Sequence, residues 1–310
     1  MGIGREILLK GSRSQWLASQ LTRRRFTRKA VQRFMPGERL EDALIAVEDL
    51  CKNNISTILT LLGENVTRPE EAETVKHHYL DVLQKVSERD LNAYISIKPT
   101  QIGIDLDLEA TYARMQSLVE RAAALGKTVA IDMEDSSYVD RTLDLYKRLR
   151  QEHSNVAICL QAYLYRTAED LAALLPLTPM IRLVKGAYNE SPEIAYRHKK
   201  DVDAAFLKLS ETLLAATATD NGTQAFFGTH DPKMVEGVCQ RAERIGLAKN
   251  AYEFQMLYGI QRQLQSRLAS DGYTMRVLIS YGESWFPWFM RRLAERPANV
   301  LFVVRNLFAA

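Results

Sequence analysis

Cysteine is scarce in this sequence. There are three in 310 residues, Cys51, Cys159 and Cys239, far apart and with no C-x-x-C among them. That count and spacing exclude a disulfide framework and a zinc knuckle, and they fit a reducing cytoplasm. Long apolar runs are missing too. No stretch reaches the ~18 residues that span a bilayer, and the N-terminus has no apolar core of a secretory signal. Histidine ligand pairs are absent: His77 and His78 are adjacent and His230 stands alone, so no pair has metal-ligand spacing. No Gly-x-Gly-x-x-Gly follows the first apolar run. Gly126-Lys127-Thr128 resembles the tail of a phosphate loop, but Arg121 stands where that loop needs Gly. Charge of one sign is not in excess: 41 basic against 38 acidic residues leave +3, which predicts no nucleic-acid partner.

What is present suits a single soluble α/β domain. Apolar residues make up 46% and charged residues 25%, the balance of a globular enzyme. One α/β barrel takes about 250 residues, so the length accommodates a barrel and a short extension. The extension is basic. Arg5, Lys10, Arg13, Arg23, Arg24, Arg25, Arg28, Lys29 and Arg33 face one acid, Glu6, with Trp16, Leu17, Leu21 and Phe26 interleaved. This is either a basic amphipathic helix on an anionic membrane surface or a solvated helix packed across the bottom of the barrel. Pro36-Gly37 marks the boundary between an arm, 1–36, and a barrel, 37–310.

Eight short apolar runs recur, at 55–62, 93–97, 129–133, 156–160, 181–184, 225–228, 252–257 and 275–280. They carry little charge and suit strands buried on both faces. Amphipathic segments lie between them, among them 69–87, 108–125, 137–152 and 233–245. Arg68-Pro69-Glu70-Glu71 and His230-Asp231-Pro232 open two of these; Gly126 and Gly246 close two. Strict alternation demands a parallel sheet, and eight repeats let it close into a (βα)8 barrel. An open doubly wound sheet is the alternative.

In a barrel, polar residues at strand C-termini read as chemistry. Here nearly every strand offers some: Gly63-Glu64, Lys98-Pro99, Asp132-Met133-Glu134-Asp135, Gln161-Ala162-Tyr163, Arg182 with Lys185-Gly186-Ala187-Tyr188, Thr229-His230, Glu253 with Gln255, and Tyr281-Gly282. Buried charges need partners, and Lys98, Arg182 and Lys185 match Glu64, Asp132 and Glu134 in number. After the eighth strand, helical spacing puts Trp288, Arg291, Arg292 and Glu295 on one side. Paired guanidiniums suit bidentate capture of a carboxylate, although a surface Arg pair near a helix C-terminus has the same spacing.

With these motifs in order, the chain resembles the proline dehydrogenase family in its short monofunctional bacterial form. The resemblance rests on Leu-Leu-Gly-Glu at 61–64, Ser-Ile-Lys-Pro at 96–99, Asp-Met-Glu-Asp at 132–135 and Leu-Gln-Ala-Tyr-Leu-Tyr-Arg at 160–166. It continues with Arg-Leu-Val-Lys-Gly-Ala-Tyr at 182–188, Gly-Thr-His-Asp at 228–231, Tyr-Glu-Phe-Gln-Met-Leu-Tyr-Gly at 252–259 and Arg-Arg-Leu-Ala-Glu at 291–295. It implies a distorted, TIM-like barrel that binds FAD noncovalently, takes hydride from L-proline to give pyrroline-5-carboxylate, and passes electrons to a membrane quinone. The basic arm and the apolar tail, 300–304, would suit a peripheral visit to the inner face of the cytoplasmic membrane.

Roles follow from the resemblance residue by residue. Arg291 and Arg292 are the carboxylate clamp, and Glu64 is the gate that pairs with the first of them. Lys98 and Asp132 line the substrate side of the flavin as a pair. Arg182 hydrogen-bonds the flavin nitrogen that receives hydride, where a cation stabilises developing negative charge. Met133, Gln161, Lys185, Gly186, Ala187, Thr229 and His230 are flavin contacts; Tyr188 and Leu257 line the proline pocket. Two positions depart from the family. Leu278 and Trp288 each stand where relatives commonly have Tyr facing the substrate ring. Such changes either admit a larger ring, such as 4-hydroxyproline, or conserve pocket volume. Other readings stand beside this one: a Schiff-base aldolase through Lys98 or Lys185, a metal hydrolase through Asp132, Glu134 and Asp135, and a catalytically silent flavin-binding barrel.

Overall fold

In a computed structural model, which describes residue 31, residues 33–219 and residues 221–286, eight parallel strands close into one barrel in sequence order. Helix α1 (Leu40–Cys51) precedes β1 (Ser56–Leu61). Then follow α2 (Pro69–Glu88), β2 (Ala93–Ile97), α3 (Leu108–Ala124), β3 (Val129–Ile131), α4 (Val139–Glu152) and β4 (Val156–Gln161). The second half holds α5 (Thr167–Leu174), β5 (Met180–Val184), α6 (Lys199–Ala218), β6 (Gln224–Gly228), α7 (Pro232–Arg244), β7 (Glu253–Leu257), α8 (Arg262–Ser270) and β8 (Thr274–Tyr281). Pairing of β8 with β1, from Ser56↔Arg276 to Leu61↔Tyr281, closes the ring.

The helix signals act as expected. Pro69 and Pro232 open α2 and α7, and Asp231 caps α7 by accepting from Lys233 N. Gly126 and Gly246 take φ of +65° and +68° just beyond α3 and α7, the left-handed stop that glycine adopts most cheaply. The main core lies between strands and helices, where one face of each helix meets outward strand residues such as Leu59, Ile95, Ile131, Ile158 and Leu183.

The strand expected to reach Met133 ends at Ile131. Asp132 N still donates to Ile97 O at 2.9 Å, but its side chain is committed to partners across the barrel. The helix expected from Ser137 begins at Val139, after a short 3-10 turn at Ser136–Tyr138 capped by Asp135. Of the basic arm, residue 31 and residues 33–36 are described; residues 1–30 are not. Val31, Phe34 and Met35 are buried, and Arg33 O lies against Gly259, just past the C-terminal end of β7. Trp285, just past β8, donates to Glu38 Oε1 at 2.9 Å. This stretch of chain therefore packs at the C-terminal rim; the expectation for the basic helix falls almost wholly on residues 1–30, outside the described residues. Among the described residues no helix is long and apolar enough to cross a membrane.

Candidate active site

Alternation along parallel strands sorts the inward residues into layers. The lowest is an apolar plug: Ile58, Tyr94, Ala130, Ala157, Met180 and Phe226, one from each of β1 to β6, with Leu278 of β8 packed on it. β7 contributes charge instead. Glu253 accepts from Arg276 Nε at 2.8 Å, Gln255 donates to Tyr94 Oη at 2.8 Å, and the Arg276 guanidinium lies 4.5 Å from the Tyr94 ring centre. Both ends of this ion pair are nearly sealed from solvent.

Two residues further along each strand the inward layer turns polar: Thr60, Ser96, Asp132, Cys159, Arg182 and Ser280. Arg182 crosses from β5 to form an ion pair with Asp132 beyond β3. Burial opposes the Arg182 cation, but Asp132, Cys159 and Tyr94 around it together more than offset this and raise its pKa. Ser96 donates to the same Asp132 oxygen at 2.6 Å.

One more step reaches the rim, and there the residues singled out in the sequence gather. Glu64 and Lys98 follow β1 and β2; Met133 and Glu134 follow Asp132; Gln161 ends β4. Lys185, Gly186, Ala187 and Tyr188 follow β5; Thr229 and His230 follow β6; Leu257 ends β7. A parallel barrel puts all these ends on one side. Trp288, Arg291, Arg292 and Glu295 lie outside the described residues.

The Arg182–Asp132 pair falls within the set of charges the sequence brought together, whereas the partners of Lys98 and Lys185 differ. Lys98 is placed to pair with neither Asp132 nor Glu134 at ion-pair distance; its Nζ lies 3.5 Å from Gly63 O. Lys185 binds Asp203 and Asp231, and Lys199 binds the same two carboxylates. The two lysines outweigh the burial cost and pull Asp231 down to about 2. Glu134 grips the backbone N and hydroxyl of Thr100 at 2.9 and 2.7 Å. Burial still pushes its pKa up, against those hydrogen bonds and the Lys98 charge. His230 accepts the Leu257 N–H on Nε2 at 2.8 Å, so its ring proton sits on Nδ1 in this arrangement and β6 is tied to β7 at the rim.

Among the buried polar atoms here with no hydrogen-bond partner among the described residues are the hydroxyls of Thr60 and Ser280, Arg182 Nη1, a donor, and Gln161 Oε1, an acceptor. Such atoms are rare inside proteins unless a ligand satisfies them. The other amide atom of Gln161 is held by Glu134 O at 3.1 Å. A planar heterocycle with adjacent donor and acceptor edges, as a flavin ring has, fits Arg182 Nη1 and Gln161 Oε1. Ser96 and Asp203 carry no role in the sequence reading. For Ser96 a signal existed, since it stands two residues before Lys98 and shares its inward side.

A closed parallel barrel with a buried ion pair and unmatched polar atoms at its C-terminal mouth defines the class, a βα-barrel enzyme. Comparison with known proteins gives the family. Residues 43–305 match the sequence profile described as proline dehydrogenase. Proline dehydrogenase 2 of Bacillus subtilis strain 168 is 36% identical over 305 residues, 98% of this chain and 99% of that one. The proline dehydrogenase of Deinococcus radiodurans is 37% identical over 295 residues, 93% of each chain. Among solved structures, proline utilization A from Bdellovibrio bacteriovorus superposes with a TM-score of 0.82 at 22% identity. That match covers 94% of this chain but 36% of the longer protein, and it bears on the fold. The chain belongs to the proline dehydrogenase family, and the family's name describes an oxidoreductase.

Proposed function

We propose that this chain oxidises L-proline to pyrroline-5-carboxylate using FAD held at the barrel mouth. The observation that carries the reading is that Arg182 Nη1 and Gln161 Oε1, on β5 and at the end of β4, are buried without a hydrogen-bond partner among the described residues in a barrel of this family. FAD is held by Met133, Gln161, Arg182, Lys185, Gly186, Ala187, Thr229 and His230. When bound, it supplies the two-electron oxidation of the ring carbon next to nitrogen. The residues of the chain do the rest. Arg291 and Arg292 take the substrate carboxylate in bidentate fashion, and Glu64 pairs with Arg291 to close over it. Lys98, Asp132 and Tyr188 flank the substrate, while Leu257, Leu278 and Trp288 hem in its ring. Arg182, charged at all working pH values and backed by Asp132, stabilises negative charge that develops beside it.

Leu278 packs on the apolar plug as a half-buried aliphatic side chain. An aliphatic wall favours the unsubstituted methylenes of proline over a hydroxylated ring, whose hydroxyl would lose water without gaining a partner there. Electrons leave to a membrane quinone, and the basic arm with the apolar tail brings a cytoplasmic enzyme to the inner membrane face. The test is a visible spectrum of the purified protein and an oxygen-free titration with L-proline, repeated with 4-hydroxyproline. Flavin absorption that bleaches with proline and resists 4-hydroxyproline is the expected result. A colourless protein that FAD does not reconstitute overturns the cofactor, and a yellow protein that proline leaves unbleached overturns the substrate.

A further inference from the structure

The polar floor of the barrel contains a third member that no catalytic role so far includes. Ser96 lies on β2, fully buried. Its hydroxyl donates to Asp132 Oδ1 at 2.6 Å, and Arg182 Nη2 approaches the same hydroxyl at 3.4 Å. Asp132 Oδ1 is also the atom that pairs with Arg182. Two side chains, from β2 and β5, thus converge on one carboxylate oxygen at the end of β3. Ser96 itself is fixed from outside the barrel. Tyr79 of α2 donates to Ser96 O at 3.0 Å and accepts from Leu61 N at 3.0 Å, which ties β2 to β1 at this height.

A carboxylate of this kind has rotational freedom about its side-chain bonds, and one ion pair to a long Arg does not remove it. A second, short bond from a side chain with a single rotatable heavy-atom torsion does. The Ser96 bond also draws on the charge of Oδ1, so Asp132 takes up less of the Arg182 cation. More of the positive charge is left at Nη1, the atom without a partner among the described residues. Low local polarity strengthens each of these bonds.

We infer that Ser96 is a positioning residue for the oxidation: its hydroxyl locks Asp132 so that Arg182 Nη1 is aimed and charged toward the bound flavin. The inference rests on the proposed role of Arg182. Ser96 touches neither substrate nor flavin in this account and acts only through Asp132.

The test compares holoenzymes of the parent, Ser96→Ala, Ser96→Cys and Arg182→Lys by stopped-flow reduction with L-proline without oxygen. Each variant is also checked for flavin content, melting temperature and the fraction of flavin reduced at a fixed ratio of proline to pyrroline-5-carboxylate. Ser96→Ala is expected to keep its flavin and its apparent proline affinity. It should slow flavin reduction about tenfold, the scale of one charge-assisted hydrogen bond, and lower the fraction reduced at equilibrium. Ser96→Cys, a weaker donor of similar size, should fall between. A purely structural role would lower flavin content and melting temperature without moving the redox equilibrium. Reduction and equilibrium within twofold of the parent in both Ser96 variants would overturn the inference if Arg182→Lys is impaired. If Arg182→Lys reduces normally, the role of Arg182 falls and the inference falls with it. Should Ser96→Ala fail to fold, Ser96→Cys decides by the same two readouts.

Discussion

Gly186 lies directly beneath the ring of Tyr163. A Cβ on Gly186 would fall 2.2 Å from Tyr163 Cδ1, and the residue has φ of +112°. Tyr163 N donates to Lys185 O at 2.9 Å, and Tyr163 O accepts from Tyr196 N at 2.8 Å, so the ring has backbone anchors on both sides and little room to retreat. Gly186→Ala therefore meets both a clash and an unfavourable backbone. It is expected to cost more than ~2 kcal/mol of stability and to displace the turn that carries Lys185 and Ala187. Loss of bound flavin together with a lower melting temperature is the expected outcome. Tyr163→Ala in the Gly186→Ala background separates the causes, because it removes the clash and leaves the backbone strain.

The sequence made the strands legible because a parallel strand covered on both faces must be apolar almost throughout, and eight such runs separated by amphipathic segments leave few architectures. The rim residues were legible for a related reason, since charge at the end of an apolar run has to be accommodated somewhere. The partners of Lys98 and Lys185 were not. Lys98 and Asp132 occupy neighbouring positions at the ends of adjacent strands, which is why pairing them was reasonable. In three dimensions Arg182 reaches Asp132 from two strands away, because the inward side chains of β3 and β5 converge in the narrow interior of a closed barrel. Lys185 turns outward to Asp203, a residue on α6 whose position no local pattern encodes. The composition of the floor layer was legible only in part: Ser96 reads as an ordinary strand residue until the ring is closed.

The Glu253–Arg276 pair gives a prediction about stability alone. It lies inside the barrel, and Arg276 also donates to Thr57 O at 3.2 Å and lies over Tyr94. Glu253→Gln would leave the Arg276 cation buried without its counter-charge. Such losses cost about 3–5 kcal/mol, well above the effect of breaking an exposed pair such as Lys52–Asp49. Chemical denaturation of Glu253→Gln should show a lower midpoint. Glu253→Gln combined with Arg276→Met, which removes both charges, should recover much of the loss.

Acid sensitivity should be centred on the Lys185–Asp203–Lys199–Asp231 cluster. Asp231 is held at about 2, below its ordinary 3.8, and Asp203 is lowered by the same two lysines despite burial. A carboxylate depressed on folding stabilises the folded state fully above its unfolded value and loses that contribution as the pH falls through the folded one. The window for Asp231 thus runs from 3.8 down to about 2. Glu134 has the opposite sign: burial raises its pKa above 4.5, so its contribution is complete below that value and is lost as the pH rises through the folded one. Asp231→Asn keeps the cap of α7 but loses the charge. Its stability deficit against the parent should be largest near neutral pH and shrink through the acid window. A deficit that stays constant down to about pH 2 would contradict the assignment of the shift to the lysines.

Arg291→Ala tests the proposed clamp on the substrate carboxylate. If the two guanidiniums share the carboxylate, removing one leaves the flavin site intact, because the residues assigned to FAD come from β3 to β6 and their loops. The variant should retain its visible spectrum and melting behaviour. Its KM for proline should rise about tenfold or more, the cost of a lost charge-assisted hydrogen bond to a desolvated anion. Reduction at saturating proline should fall much less, since binding shared equally by ground and transition states sets KM and not kcat. Arg291→Lys should recover little, as an ammonium cannot reproduce the planar two-point contact. An unchanged KM in Arg291→Ala would remove Arg291 from the carboxylate site, and the anion would then need another partner among the rim cations, of which Lys98 is the one without a carboxylate within ion-pair distance among the described residues.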